Sequence, residues 1–211
     1  MSSHRNDLSG VWPNDYVPFT STRDEIRKMM VGLGTFSIQA NKIRIQDYPF
    51  QPSKVYGSME LFPHQISSID ISSRPLTIRT GDELIFVPAT ETENLSMFAL
   101  AHQIPLVKRD NVWGWLLEPF LDTEYTEETH QKLAVLLSAY GLNETLVRLA
   151  RNEVATPMFK YNFDTMLWEW CCLGADDVLR AMRVACNAKD FLDFYWRTMS
   201  ICLLPDEFGN T

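Results

Sequence analysis

The sequence predicts an α+β chain. An N-terminal antiparallel sheet or partly closed barrel of about six strands, capped by a helix, is expected to precede an all-helical C-terminal domain. Three observations carry this reading. Between Phe36 and Val87 apolar residues recur with period two, the spacing of one face of a strand. Turn residues interrupt that pattern at short intervals, and such short connections make neighbouring strands antiparallel. Beyond Pro105 the apolar spacing changes to three and four, the period of a helix. Four segments follow: an arm with a short helix (1–32), a β domain with its covering helix (33–104), a helical domain (105–205) and a tail (206–211).

The arm, "MSSHRNDLSGVWPNDYVPFTSTRDE", holds two prolines but also Trp12, Tyr16 and Phe19. Aromatics at this density are expected to dock on the body of the protein. Thr22 and Glu25 have the spacing of a capping box, so a short helix is expected over 23–31. Gly32 and Gly34 stop it. Strands are then expected around Phe36–Ile38, Ile43–Ile45, Val55–Leu61, Ile69–Ile71, Leu76–Ile78 and Leu84–Val87. Turn signals separate them at Ala40-Asn41, Pro49 to Pro52, Pro63, Ser72 to Pro75 and Gly81-Asp82. In "TETENLSMFALAHQ", Leu95, Phe98 and Ala99 share one helical face, which suits a helix covering the end of the sheet.

The segment "HQISSIDISSRPLTIRTGDELIFVPATETENLSMFA", with the strands before it, resembles the pleckstrin-homology-like folds of bacterial proteins over residues 33–104. The resemblance is architectural and implies a fold. Lipid-binding members of that family use a basic cluster near the first strands. Here that region offers Lys42, Arg44 and Lys54 beside Asp47 and Glu60, so no ligand is carried over.

In the C-terminal half, 111–117 suits a short helix that halts before Pro119. Residues 124–155 read as an αα-hairpin. Leu133, Leu136, Leu137 and Tyr140 lie on one face, Gly141 is the stop, Asn143 the next cap, and Leu142 with Val147 a hydrophobic staple. Pro157 is expected to end it. "FKYNFDTMLWEWCCL" places Phe159, Phe163, Met166, Leu167, Trp170 and Cys171 on one stripe of a central helix. "ADDVLRAMRVAC" and "DFLDFYWRTMSICLL" complete the helical domain.

The net charge is −8, and it is uneven. Residues 1–110 hold 11 Lys+Arg and 12 Asp+Glu; residues 111–211 hold 8 and 15. Such a surface repels phosphate backbones and anionic membranes, so neither nucleic acid nor membrane is expected as a partner. No run approaches the roughly 18 to 20 apolar residues of a spanning helix, and the polar start "MSSHRNDLSG" lacks an apolar signal core. A cytoplasmic chain with its four cysteines reduced is the expectation. Cys171-Cys172 falls near the end of an apolar helix without a neighbouring histidine, and is expected to pack in the core.

No GxSxG, Walker A, GxGxxG or HExxH motif is present, and no two of the histidines share a metal-ligand spacing. No catalytic, cofactor-binding or metal residue and no cofactor is therefore assigned. The best functional cluster is in "NVWGWLLEPFLDTEYTEETH": Trp113, Trp115, Glu118, Asp122 and Glu124. Its aromatics suit a seam against the sheet domain, and its acids suit the start of the next helix. A second acidic pair, Asp176-Asp177, opens a later helix; convergence of the two clusters would make a metal site. The leading function is a non-enzymatic protein–protein interaction module with an acidic helical surface, binding a protein partner or itself. The alternative is a small hydrolase or metal-dependent enzyme using the acids near 118–128.

Overall fold

The computed structural model describes residues 19–121, 126–166 and 172–205. Among them, strands come first and helices dominate after them. A helix α1 (Arg23–Met29) leads into β1 (Thr35–Ile38), β2 (Ile43–Tyr48), β3 (Gly57–Leu61), β4 (Ser68–Asp70), β5 (Leu76–Thr80) and β6 (Glu83–Val87). The helices α2 (Thr92–Ala101), α3 (Val112–Leu117), α4 (Glu127–Ala139), α5 (Glu144–Phe159), α6 (Ala175–Ala185) and α7 (Ala188–Cys202) follow. The six strands form two antiparallel three-stranded sheets, ordered β1-β2-β3 and β4-β5-β6. The fold is α+β, and the sheets do not close on each other.

Local sequence explains most boundaries. Thr22 accepts from the Glu25 amide at 3.2 Å while the Glu25 carboxylate accepts from the Thr22 amide at 2.7 Å, the reciprocal pair of a capping box. Ala40-Asn41 and Gly81-Asp82 each make a two-residue hairpin turn, closing Gln39 on Lys42 and Thr80 on Glu83. Thr126 and Asn143 cap α4 and α5 by accepting from Thr129 and Leu146 amides.

By its internal contacts the chain divides into two compact units. One comprises Val31–Asn111 and Cys186–Leu203; the other holds Met1–Met30, Val112–Ala185 and Leu204–Thr211. The sheet unit differs from the expected segment 33–104 at two places. Residues 105–109 stay with it: the Ile69 amide donates to Pro105 O and the Val107 amide to Ile69 O, both at 2.9 Å, and the Arg109 amide donates to the buried Asp70 carboxylate at 2.8 Å. The last helix, α7, also returns to this unit and packs on β6. Its core is Ile43, Ile45, Tyr48, Phe50, Ile69, Leu76, Ile78 and Ile85, with Leu95, Phe98 and Ala99 of α2, the face expected from their spacing.

In the helical unit, α5 and α6 pack together, and α1 lies on α6. Three expectations are corrected here. Pro157 does not end α5. The helix runs through it to Phe159 and then widens into a π turn, Lys160–Asp164; a proline removes a single amide donor, and the wider turn accommodates the break. The stripe drawn from Phe159 to Cys171 is not one helix: Met166 has φ +60° and is 64% exposed, and residues 167–171, including Cys171, lie outside the described residues. The α4–α5 pair is a corner rather than a closed hairpin, its axis turning by 106°. Trp12 and Tyr16 also lie outside the described residues. Phe19 is exposed, but its amide and that of Ser21 donate to the two oxygens of Asp164, at 2.5 and 2.8 Å, and seat the start of α1. No single helix among the described residues is long and apolar enough to cross a membrane.

Candidate functional site

The expected cluster is only partly described: Asp122 and Glu124 lie outside the described residues. Trp113 is buried and Trp115 half-buried, both on α3, which lies against α4 and α5 of its own unit. The Trp115 ring meets Tyr140 edge-on at 5.5 Å. Arg151 of α5 caps the end of α3, donating to Leu116 O at 3.0 Å and Trp115 O at 3.3 Å. Phe120 packs edge-on against Phe159 at 5.3 Å. These contacts serve the interior of the helical unit. Glu118 begins the 3-10 turn Glu118–Phe120, and burial raises its carboxyl above the usual range.

The second acidic pair is a buried charge cluster. Asp176 and Asp177 open α6, and Arg180 lies one turn on, at i+4 and i+3. Its guanidinium is 3.3 Å from the Asp176 carboxylate and 3.6 Å from that of Asp177. Asp177 accepts from the Tyr161 hydroxyl at 2.7 Å and from the Gly174 amide at 2.9 Å. Two acids thus share one base, with Asp176 buried and Asp177 and Arg180 half-buried. Burial first, and then the charge of Asp177, push Asp176 up to about 8; Asp177 is raised as well, chiefly by burial. Tyr161 belongs to the π turn, where its hydroxyl reaches α6; the neighbouring Asn162 donates to Phe120 O at 2.9 Å. The cluster fastens the π turn to the first turn of α6. The Asp176–Arg180 spacing is legible in the sequence, but Tyr161 is not, because the turn that aims it breaks the helical period. Among the described residues, no group of three or more His, Cys, Asp or Glu is placed to hold a metal ion.

The outer faces of α4 and α5 carry part of the exposed apolar surface. The interior of the unit takes Leu133 and Leu137 from α4 and Val154, Ala155, Met158 and Phe159 from α5. Val135 is left 71% exposed and Leu149 59%, with Leu136 and Leu146 also exposed. Leu146 and Leu149, three residues apart, share a face. Over residues 127–160 the acids Glu127, Glu128, Glu144 and Glu153 are matched by Lys132, Arg148, Arg151 and Lys160. The corner is electrically neutral within an acidic half. His130 is exposed on α4. Cys172 is exposed rather than packed in a core, and Cys186 and Cys202 are half-buried.

The fold and these sites define an α+β chain with an aliphatic helical corner and a buried charge cluster. Comparisons with protein-family models, curated proteins and solved structures found no match.

Proposed function

We propose that this chain is a non-enzymatic protein–protein interaction module that binds through the α4–α5 corner. The observation that carries this reading is the outward aliphatic surface of Val135, Leu136, Leu146 and Leu149 on capped, ordered helices. Exposed apolar groups on neighbouring helices are stabilised when a partner removes them from water. The balanced charge of the corner supports a protein partner or a second copy, since the −8 chain otherwise repels acidic surfaces. The same charge argues against nucleic acid. A chain of 211 residues, long enough not to depend on disulfide staples, suits a cytoplasmic setting.

The test is affinity capture with the tagged full chain, wild type against Leu146→Glu/Leu149→Glu, with sedimentation over a range of concentrations. The double variant is expected to keep the wild-type melting curve and to lose the bound protein or the self-association shown by wild type. Identical capture profiles and identical sedimentation for the two proteins would reject the corner as the contact surface.

A further inference from the structure

A second surface in the sheet unit follows from the hydrogen-bond pattern of β1. The hairpin bond from the Gln39 amide to Lys42 O fixes which residues of β1 face β2. In an antiparallel ladder, bonded and non-bonded pairs alternate. With Gln39 opposite Lys42 bonded, Ser37–Arg44 and Thr35–Gln46 are the next bonded pairs, whereas Phe36–Ile45 and Ile38–Ile43 are non-bonded pairs. The amides and carbonyls of Phe36 and Ile38 therefore point away from β2. β1 is an edge of its sheet, so among the described residues these two donors and two acceptors meet no strand.

Edge strands are ordinarily protected by charge, proline or a covering segment. The edge of β4 is covered in this way, by residues 105–107. β1, with the sequence Thr-Phe-Ser-Ile, carries no charge and no proline. Beside it is α2, and between them runs a groove of 240 Å³ lined by Ile38, Ala40, Asn94, Met97, Phe98 and Ala101. His102 ties the two elements together: its Nε2 is 2.7 Å from Ala40 O and its ring lies 4.6 Å from that of Phe98. Met97 is 63% exposed and the neighbouring Leu100 82%. Methionine is unbranched and polarisable, and it adapts to whatever apolar group meets it.

We propose that β1 and the α2 groove bind an extended peptide segment of a partner protein. The segment adds to β1 as a strand, bonded to Phe36 and Ile38, and seats one large apolar side chain against Met97 and Phe98. The outward-pointing backbone groups select an extended chain, and the groove selects an apolar residue on it. With α2 standing next to β1, the slot takes a lone strand. The edge of a second copy would bring its own α2 into the same space. This site shares no residue with the α4–α5 corner, so either can fail without the other.

The experiment is to pan a phage library of random eight-residue peptides on the immobilised full chain, then measure Kd for fluorescein-labelled winners by anisotropy. The expected winners have apolar residues at alternate positions. Ile38→Pro removes one outward amide and spares the bonds to β2, and Met97→Glu places charge at the groove. Each is expected to weaken binding about tenfold, the factor that 1.4 kcal/mol represents, while Leu149→Glu leaves Kd unchanged. Failure to enrich any peptide overturns the proposal, as do winners that bind both variants with wild-type Kd. Should Ile38→Pro lower the melting temperature, Met97→Glu alone decides, and a wild-type Kd for it overturns the site. A dimer in sedimentation that Ile38→Pro dissociates would show the edge to be an interface between copies, and would overturn the lone strand.

Discussion

The Tyr195 hydroxyl donates to the Glu83 carboxyl at 2.6 Å, joining α7 to β6 across 112 positions of sequence. Both groups are fully buried, and the other Glu83 oxygen accepts from the Lys54 amide at 3.2 Å. Burial drives the Tyr195 hydroxyl far above its ordinary range, so it remains a donor at any working pH. The Leu84 amide points at Met199 Sδ, 3.3 Å away, as a second tie between the same two elements. Tyr195→Phe keeps the ring and removes the donor, leaving a buried acceptor short of a partner. We expect a loss of about 1–3 kcal/mol in urea unfolding. A change below about 0.5 kcal/mol, as at ordinary surface sites, would show the bond to be incidental.

That bond also shows where the sequence stops being legible. All six strands, the covering helix, the capping box and the two hairpin turns are written locally, in alternation, spacing and turn residues. The destination of α7 is not. An apolar helical stripe at Phe191, Phe194 and Tyr195 says that a face is buried, but nothing in its period names the surface that buries it. Residues 105–109 present the same difficulty, since their attachment depends on Asp70 and Ile69, more than thirty positions earlier. Of the candidate cluster, Trp113 was legible as a buried anchor. Its packing within the helical unit was not, because the pattern of α3 does not distinguish a neighbouring helix from a sheet.

Gly34 illustrates a requirement that only the backbone shows. It has φ +87°, and a Cβ built there would lie well inside contact distance of Gln46 O. Gly32, two residues earlier, has open space around it. Both read in the sequence as stops after α1, yet only one is constrained. Gly34→Ala is expected to cost about 2 kcal/mol or more, from the left-handed backbone and the clash with β2. Gly32→Ala should be within about 0.5 kcal/mol of wild type. Thermal melts of the pair check this, and equal melting temperatures would refute it.

Trp113 and Glu118 separate an anchor from an acid–base group. Trp113→Ala empties a buried site on α3 and is expected to lower stability by about 3–5 kcal/mol. Glu118 has a carboxyl raised by burial, so its folded pKa lies above its unfolded one. Its ionisation therefore weighs against the fold as pH rises past the unfolded value near 4.3. Glu118→Gln should raise the melting temperature slightly at pH 7 and leave it unchanged well below pH 4. A melting temperature lowered by Glu118→Gln at pH 7 would mean that the charged form has a favourable partner, which would strengthen the enzymatic alternative.

The buried pair at the start of α6 gives the fold a pH dependence of the less common sign. A carboxyl paired with a base is usually depressed, and stability is then lost on acidification. Asp176 is instead pushed up to about 8, because burial and the charge of Asp177 outweigh Arg180. Unfolded, it titrates near 3.9. Between these values the native state holds a proton that the unfolded chain has released. Stability contributed by that proton is present in full below the unfolded pKa and is lost as pH rises toward 8. Each unit of difference corresponds to about 1.4 kcal/mol, so even part of the displacement moves the melting temperature by several degrees. Asp176→Asn keeps the shape, lacks the charge and leaves Arg180 paired with Asp177. Wild type is expected to melt at a lower temperature at pH 8 than at pH 5. Asp176→Asn should reduce that difference and melt above wild type at pH 8, while matching it more closely at pH 5. If Asp176→Asn melts well below wild type at both pH values, the ionised carboxylate stabilises the fold through Arg180, and the cluster is an ordinary ion pair.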